Sequence, residues 1–220
     1  MHISRFGFTA DRAAISRACD EFSRTQCAVL SDFLDPALAW RLAGDIDSEE
    51  SAPVTHELRD ESEFGRDLSF SEKSAVVHAL HLLLNNPDLF AAIHEITGCE
   101  SIHGFVGRAY RNLPLPEYHL DWHDDMDDSR RIIGFSLNLT QGAFEGGIFR
   151  LRRKSGGEIL SEIAHHRPGS AHIFRIDPRF EHCVTPVTAG SPRTAFAGWF
   201  QSAPDFRAVI RSCFGGESGF

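Results

Sequence analysis

The sequence predicts an α+β chain with a mainly β core, a jelly roll that carries N-terminal helices on one face. Three observations predict it. Helical periodicity fills much of residues 1–100, whereas residues 101–201 break into short alternating runs separated by Gly, Pro and Asp. No linker, repeat or low-complexity stretch divides the 220 residues, a length that suits one domain with one sizeable core. Helices first and strands afterwards is the order expected when helices pack on a sheet that folds back on itself.

Each element follows from local chemistry. Thr9 or Asp11 can cap a helix through AAISRACDEFSR, and QCAVLSDFL reads as a short strand. Asp35-Pro36 offers an N-cap with proline in the first turn, opening a helix through LAWRLAGDI that ends near Asp47. Residues 49–70 read as polar and irregular. Ser71, with Lys73 and Ser74, opens a third helix whose Val76, Val77, Leu80, Leu83 and Leu84 keep a helical period. Asn86-Pro87 starts a fourth, and Gly98 suits its C-cap. After residue 101 the runs IHGFVGRAY, RIIGFSLNL, GIFRLR, EILSEIA, SAHIF, CVTPV and TAFAGWF read as strands. The expected organisation is one domain over 1–220, with 1–100 mostly helical, 101–201 the jelly-roll core and CFGGESGF a frayed end.

Composition narrows the function. The net charge of −9 and the lack of any basic run beyond RR or LRRK disfavour a nucleic-acid partner. No apolar run approaches the roughly 20 residues needed to span a bilayer, and the N-terminus lacks the apolar stretch of a secretory signal. Five scattered cysteines without a CxxC pair argue against a disulfide framework and a zinc ribbon. A cytoplasmic protein with no membrane partner is expected; the oligomeric state has no readable signal.

The chemistry-bearing feature is a doubled H-x-D, His119/Asp121 and His123/Asp125, followed by a distal His182 in FEHCVTPV and by Arg193. A strand places residues i and i+2 on one face, so H-x-D can present an imidazole and a carboxylate together. With one further His this is the facial set that holds non-haem iron and leaves positions open. Spacing alone is weak evidence. With 12 His and 16 Asp in 220 residues, chance supplies about one H-x-D pair, and a solvated acidic loop is the default for WHDDMDDS.

The order of several motifs is more specific. DWHDDMDDSRRIIGFSLNL, then FEGGIFRLR, HHRPGSAHIF and HCVTPVTAGSPRTAFAGWF, resembles the prolyl-4-hydroxylase-like branch of the 2-oxoglutarate/Fe(II) oxygenases across about residues 101–201. The resemblance implies a double-stranded β-helix of the cupin-like kind. It makes His123, Asp125 and His182 the iron ligands and Arg193 the partner of the far carboxylate of 2-oxoglutarate, a task suited to a planar guanidinium. Some members carry a serine two residues beyond that arginine. Ala195 stands here, so Tyr110 and Ser136, at strand positions able to face the cosubstrate, are candidates for the missing hydroxyl. Preference for His123/Asp125 over His119/Asp121 rests on the WHDDM string. His78, His81, His165 and His166 need no function, Gly146-Gly147 reads as backbone punctuation, and Arg207 lies outside the ordered set.

The resemblance also implies Fe(II), 2-oxoglutarate and O2, with ascorbate stimulating turnover and succinate and CO2 as coproducts. Because Asp125 is present, hydroxylation of an unactivated C–H leads over halogenation, with desaturation and ring closure open. The substrate could be an amino acid, a peptidyl residue or a natural-product intermediate. Segments 49–70, 112–118, 126–130 and 177–181 are expected to set specificity. The alternative is a cupin-like metal-binding module without oxygenase activity, which would not need Arg193.

Overall fold

The structure, a computed structural model, describes residues 1–57, 63–164 and 167–204. His165, His166, Arg207 and the C-terminal CFGGESGF lie outside the described residues.

Four helices form among them: α1 (Arg12–Thr25), α2 (Pro36–Asp47), α3 (Ala75–Leu84) and α4 (Pro87–Thr97). Their starts follow capping chemistry. Asp11 rather than Thr9 caps α1, accepting from the Ala14 amide. Asp35 accepts from Ala37 and Leu38 ahead of Pro36. Asn86 accepts from Asp88 and Leu89. Helix α3 begins later than expected: Ser74, accepting from Val77, is the cap, and Ser71 only opens the turn before it. Gly98 closes α4 in the left-handed conformation.

The strands are β1 (His2–Ser4), β2 (Gly7–Thr9), β3 (Cys27–Leu30), β4 (Ser51–Glu57), β5 (Glu63–Phe70), β6 (Gly104–Asn112), β7 (Leu120–His123) and β8 (Arg131–Asn138). They continue as β9 (Phe144–Gly146), β10 (Phe149–Arg153), β11 (Ile159–Ile163), β12 (Ala171–Arg175), β13 (Phe180–Val184), β14 (Val187–Gly190) and β15 (Arg193–Gln201). Eleven of them form one sheet in the order β11-β10-β13-β7-β5-β6-β15-β8-β12-β3, with β4 added beside β5. Its pairings are antiparallel. The sheet curls until its two ends meet, where β11 packs against β3 and the Cys27 thiol is fully buried.

Period-2 alternation sorts side chains between two environments. Phe105, Ala109, Ile133, Leu137, Ile173, Phe196 and Phe200 face the helices and share a core with Phe22, Leu42, Ile46, Leu80 and Ile93. Phe149, Leu151, Phe174, Phe180 and Val184 form a second cluster inside the curl. The same alternation turns Arg108, Tyr110, Ser136 and Arg193 inward, where they line a cavity. No single helix among the described residues is long and apolar enough to cross a membrane.

Residues 49–70 correct the expectation of irregular structure. β4 and β5 form an antiparallel hairpin docked on β6 and β7. The strand signal is weak for two physical reasons. β4 pairs with β5 alone, so it is an edge strand that tolerates Pro53 and polar neighbours. In β5, the buried face carries a charge, Asp67, where alternation would lead one to expect a hydrophobe.

Candidate metal centre

β7 and β13 are neighbours, and His123 stands directly opposite His182 in their register. Their rings lie 4.2 Å apart, centroid to centroid. Asp125 completes the group from beyond the strand: its Oδ1 is 3.6 Å from His123 Nε2 and its Oδ2 3.3 Å from His182 Nε2. The candidate donor atoms of the three residues all lie within 4.8 Å of one another. Asp125 does not arrive there by strand alternation. β7 ends at His123, and Asp125 has φ 57°, a left-handed conformation that Asp tolerates better than most residues.

Neighbouring groups orient the three side chains. His123 Nδ1 donates to the Asp121 carbonyl at 2.7 Å. A carbonyl only accepts, so the proton sits on Nδ1 and Nε2 is left as the bare donor. Trp199 Nε1 donates to Asp125 Oδ2 at 2.7 Å. The Arg131 guanidinium lies 3.7 Å over the Trp199 ring, fixing that indole from its other side. Phe64 covers His123, with ring centroids 4.6 Å apart.

Electrostatics keep the group ready for a cation. Burial, helped by repulsion from His182, pushes His123 down to about 4, so its imidazole is neutral at pH 7. Burial alone would raise the Asp125 carboxyl. The two histidines and the Trp199 N–H outweigh it and hold that carboxyl far below the usual carboxylate range. Two imidazoles and one carboxylate on one face are a donor set suited to iron(II) with coordination positions left over.

Behind the triad a cavity of about 130 Å³ is lined by Tyr110, Ser136, Phe149, Phe174, Val184 and Arg193 among others. Arg193 is only 2% exposed. Its Nη1 donates to the Tyr110 hydroxyl at 3.0 Å, and it forms no ion pair among the described residues. The Ser136 hydroxyl is buried without a hydrogen-bond partner. Gly147 makes room for the arginine: at φ +60° a Cβ there would lie 2.6 Å from Arg193 Cδ. Gly147 therefore does more than punctuate the backbone: the arginine occupies the space that its missing side chain leaves.

The structure thus brings together His123, Asp125, His182, Arg193, Tyr110 and Ser136 around one cavity. It leaves His119 and Asp121 out. Their Nε2–Oδ1 separation is 3.5 Å, but the Asp121 side chain is 67% exposed and His119 Nδ1 is held by the Pro116 carbonyl. His81 binds the backbone of Gly107 and packs edge-on against Phe196. Of the expected specificity segments, 49–70 and 126–130 contribute to the mouth, through His56, Phe64, Met126 and Asp127. Sequence reasoning missed His56, Phe64, Arg108, Arg131 and Trp199. Trp199 and Arg108 had a signal, since each shares a strand face at even spacing with a residue already named, Arg193 on β15 and Tyr110 on β6.

Residues 109–201 match the model of the 2OG-Fe(II) oxygenase superfamily. No curated protein sequence matches the chain. Among solved structures, a 2OG-Fe(II) oxygenase family oxidoreductase from Burkholderia pseudomallei superposes with a TM-score of 0.62 at 14% identity, covering 92% of this chain and 96% of its own. A Pseudomonas putida prolyl-4-hydroxylase gives 0.61 at 19% identity, covering 86% and 100%. A Trichoplax adhaerens prolyl hydroxylase, solved with a hypoxia-inducible-factor oxygen-degradation-domain peptide, gives 0.62 at 14%, covering 88% and 94%. At these identities the likeness is one of fold.

Proposed function

We propose that this chain, whose residues 109–201 match the 2OG-Fe(II) oxygenase superfamily, is a 2-oxoglutarate-dependent dioxygenase using Fe(II), 2-oxoglutarate and O2, and that it hydroxylates an unactivated C–H bond of a small molecule or peptidyl residue. In this reading His123, Asp125 and His182 hold the iron, and succinate and CO2 leave as coproducts. The metal and cosubstrate supply the oxidising chemistry; the protein's part is placement and exclusion of side reactions.

Arg193 is the observation that carries the proposal. A guanidinium only 2% exposed, with a phenol as its only hydrogen-bond partner among the described residues, is costly by several kcal/mol unless a counter-charge arrives. A cupin-like module that merely bound metal would have no use for it. A dicarboxylate whose near end reaches the metal would supply the missing anion at its far end. Arg193 would then bind that carboxylate through its fork, with the Tyr110 hydroxyl beside it, and Ser136 would offer its unpaired hydroxyl to the same ligand. Asp125 keeps the third protein position filled. That favours hydroxylation over outcomes that need a vacancy there.

The test is succinate release with Fe(II), ascorbate and air, first without and then with a broad substrate panel. Slow uncoupled release that a panel member accelerates is the expected result. No succinate under either condition would favour the metal-binding module.

A further inference from the structure

A second arginine opens on the same cavity. Arg108, on β6, stands opposite Ala197 in the β6–β15 register. Two residues further along that face, Trp199 touches the candidate ligand Asp125. The Arg108 guanidinium lies 5.1 Å from the face of Tyr110, whose other neighbour, Arg193, lies 5.7 Å away. Unlike Arg193, Arg108 has an anion. Its Nη1 and Nη2 donate to Oδ1 and Oδ2 of Asp67 at 2.9 and 2.5 Å, and Asp67 is fully buried. Burial alone would raise that carboxyl, but its contacts with His56 and Arg108 hold it below the ordinary carboxylate range.

A guanidinium has two forks, and Asp67 takes only the end-on one, Nη1 with Nη2. The side-on fork, Nε–H with the outer Nη2–H, has His56 Nε2 as its only protein partner among the described residues, 3.0 Å from Nη2. That same Nε2 lies 2.9 Å from Asp67 Oδ2. One ring nitrogen cannot serve both. If Nε2 is bare it accepts from Arg108; if it carries the proton it donates to Asp67, and the side-on fork of Arg108 is released into the cavity. The Arg108 side chain is 32% exposed and lines the cavity. The trio also stands close to the metal centre: His56 packs at 5.7 Å on Phe64, which covers His123 at 4.6 Å.

We propose that the side-on fork of Arg108, held by Asp67 and released by His56, grips the carboxylate of a small carboxylic-acid substrate beside the metal centre. This rests on the dioxygenase reading above. It adds that the substrate arrives as a free acid rather than as an amide within a peptide chain. Arg108 is thereby a specificity-determining residue. Asp67 and His56 are positioning residues, because they act through it. A carboxylate matches a planar two-donor edge in a way that a single amide oxygen does not.

The test uses the full chain loaded with Mn(II) and 2-oxoglutarate. Calorimetry and ligand-observed NMR measure binding of the common L-amino acids, of their 2-hydroxy-acid counterparts and of the primary amide of each binder. At least one acid should bind, with relaxation from Mn(II) placing it near the metal, and its amide should bind at least about tenfold more weakly. Arg108→Gln should bring the acid down to the amide's level. Arg108→Lys, which keeps charge but lacks the fork, should fall between. Both variants should retain 2-oxoglutarate affinity within about twofold. The proposal is overturned if no acid binds the loaded parent, if acid and amide bind alike, or if Arg108→Gln weakens 2-oxoglutarate as much as the acid. The acid–amide comparison on the parent decides the matter even if the variants fold poorly. A parent that binds neither Mn(II) nor 2-oxoglutarate would instead sink the dioxygenase reading itself.

Discussion

Two H-x-D pairs stand four residues apart in this chain with identical spacing, and the structure treats them in opposite ways. His119 and Asp121 lie at the surface, one held by a backbone carbonyl and the other largely in water. His123 and Asp125 are half to fully buried, face a third imidazole, and are each fixed from behind by a hydrogen bond. The difference is not in the motif. It lies in where β7 stops and in what packs around it: Phe64 from a hairpin, Trp199 from the far strand, and a left-handed turn that swings Asp125 back toward His182. A metal site is made by a buried, pre-aimed donor set, and spacing is only the entry condition.

The comparison breaks most sharply under alanine substitution. His123→Ala should abolish retention of divalent metal, whereas His119→Ala should leave it largely intact, as read by metal content after desalting. Equal losses would mean that both pairs share the ion.

Next in size is Arg193→Ala. Removing a buried partner of a carboxylate should cost on the order of 2–5 kcal/mol of 2-oxoglutarate binding, roughly 30-fold or more in affinity. Metal binding should survive. Arg193→Lys should be intermediate, since it keeps charge without the fork. Unchanged 2-oxoglutarate affinity in the alanine variant would move the anchor elsewhere.

Trp199→Phe leaves an aromatic ring for Arg131 to stack on but removes the N–H to Asp125. Metal affinity should fall about 10- to 100-fold, the usual cost of losing a group that orients a ligand. An Asp121→Ala control should change little, because His123 uses the Asp121 backbone and not its side chain.

The smallest effect concerns acid. His123 is held at about 4 against an ordinary 6.5, so the unfolded chain takes up a proton that the folded one refuses. Stability of the metal-free protein should therefore be full above pH 6.5 and decline as pH falls toward 4. The loss is about 1.4 kcal/mol one unit below 6.5. The depressed Asp125 carboxyl acts in the same direction at lower pH. Thermal melts across pH 5–8 would read it, and His123→Gln should flatten the upper part of the slope.

Much of this is legible in the sequence. The helix caps at Asp35 and Asn86 and the strands after residue 101 follow local rules that tertiary packing did not overturn. Tyr110, Ser136 and Arg193 line one cavity beside the triad because alternation along β6, β8 and β15 turns them inward. What was not legible depends on partners distant in sequence. Asp67 looks like a surface charge until His56 and Arg108 close on it. Gly147 looks like a turn residue until Arg193 occupies the space its missing Cβ leaves. H-x-D spacing does not show that β7 stops at His123 and that Asp125 reaches the triad through a left-handed turn.

The central claim is that one cavity holds a metal at His123, Asp125 and His182 and a dicarboxylate at Arg193. A crystal structure of the chain with Mn(II) and 2-oxoglutarate, grown without oxygen, tests it directly. The account predicts one ion about 2.0–2.2 Å from each of the three side chains, with the far carboxylate bidentate on Arg193. A metal bound by His119 and Asp121, or a 2-oxoglutarate whose far carboxylate sits on Arg108 and leaves Arg193 unpaired, would contradict it.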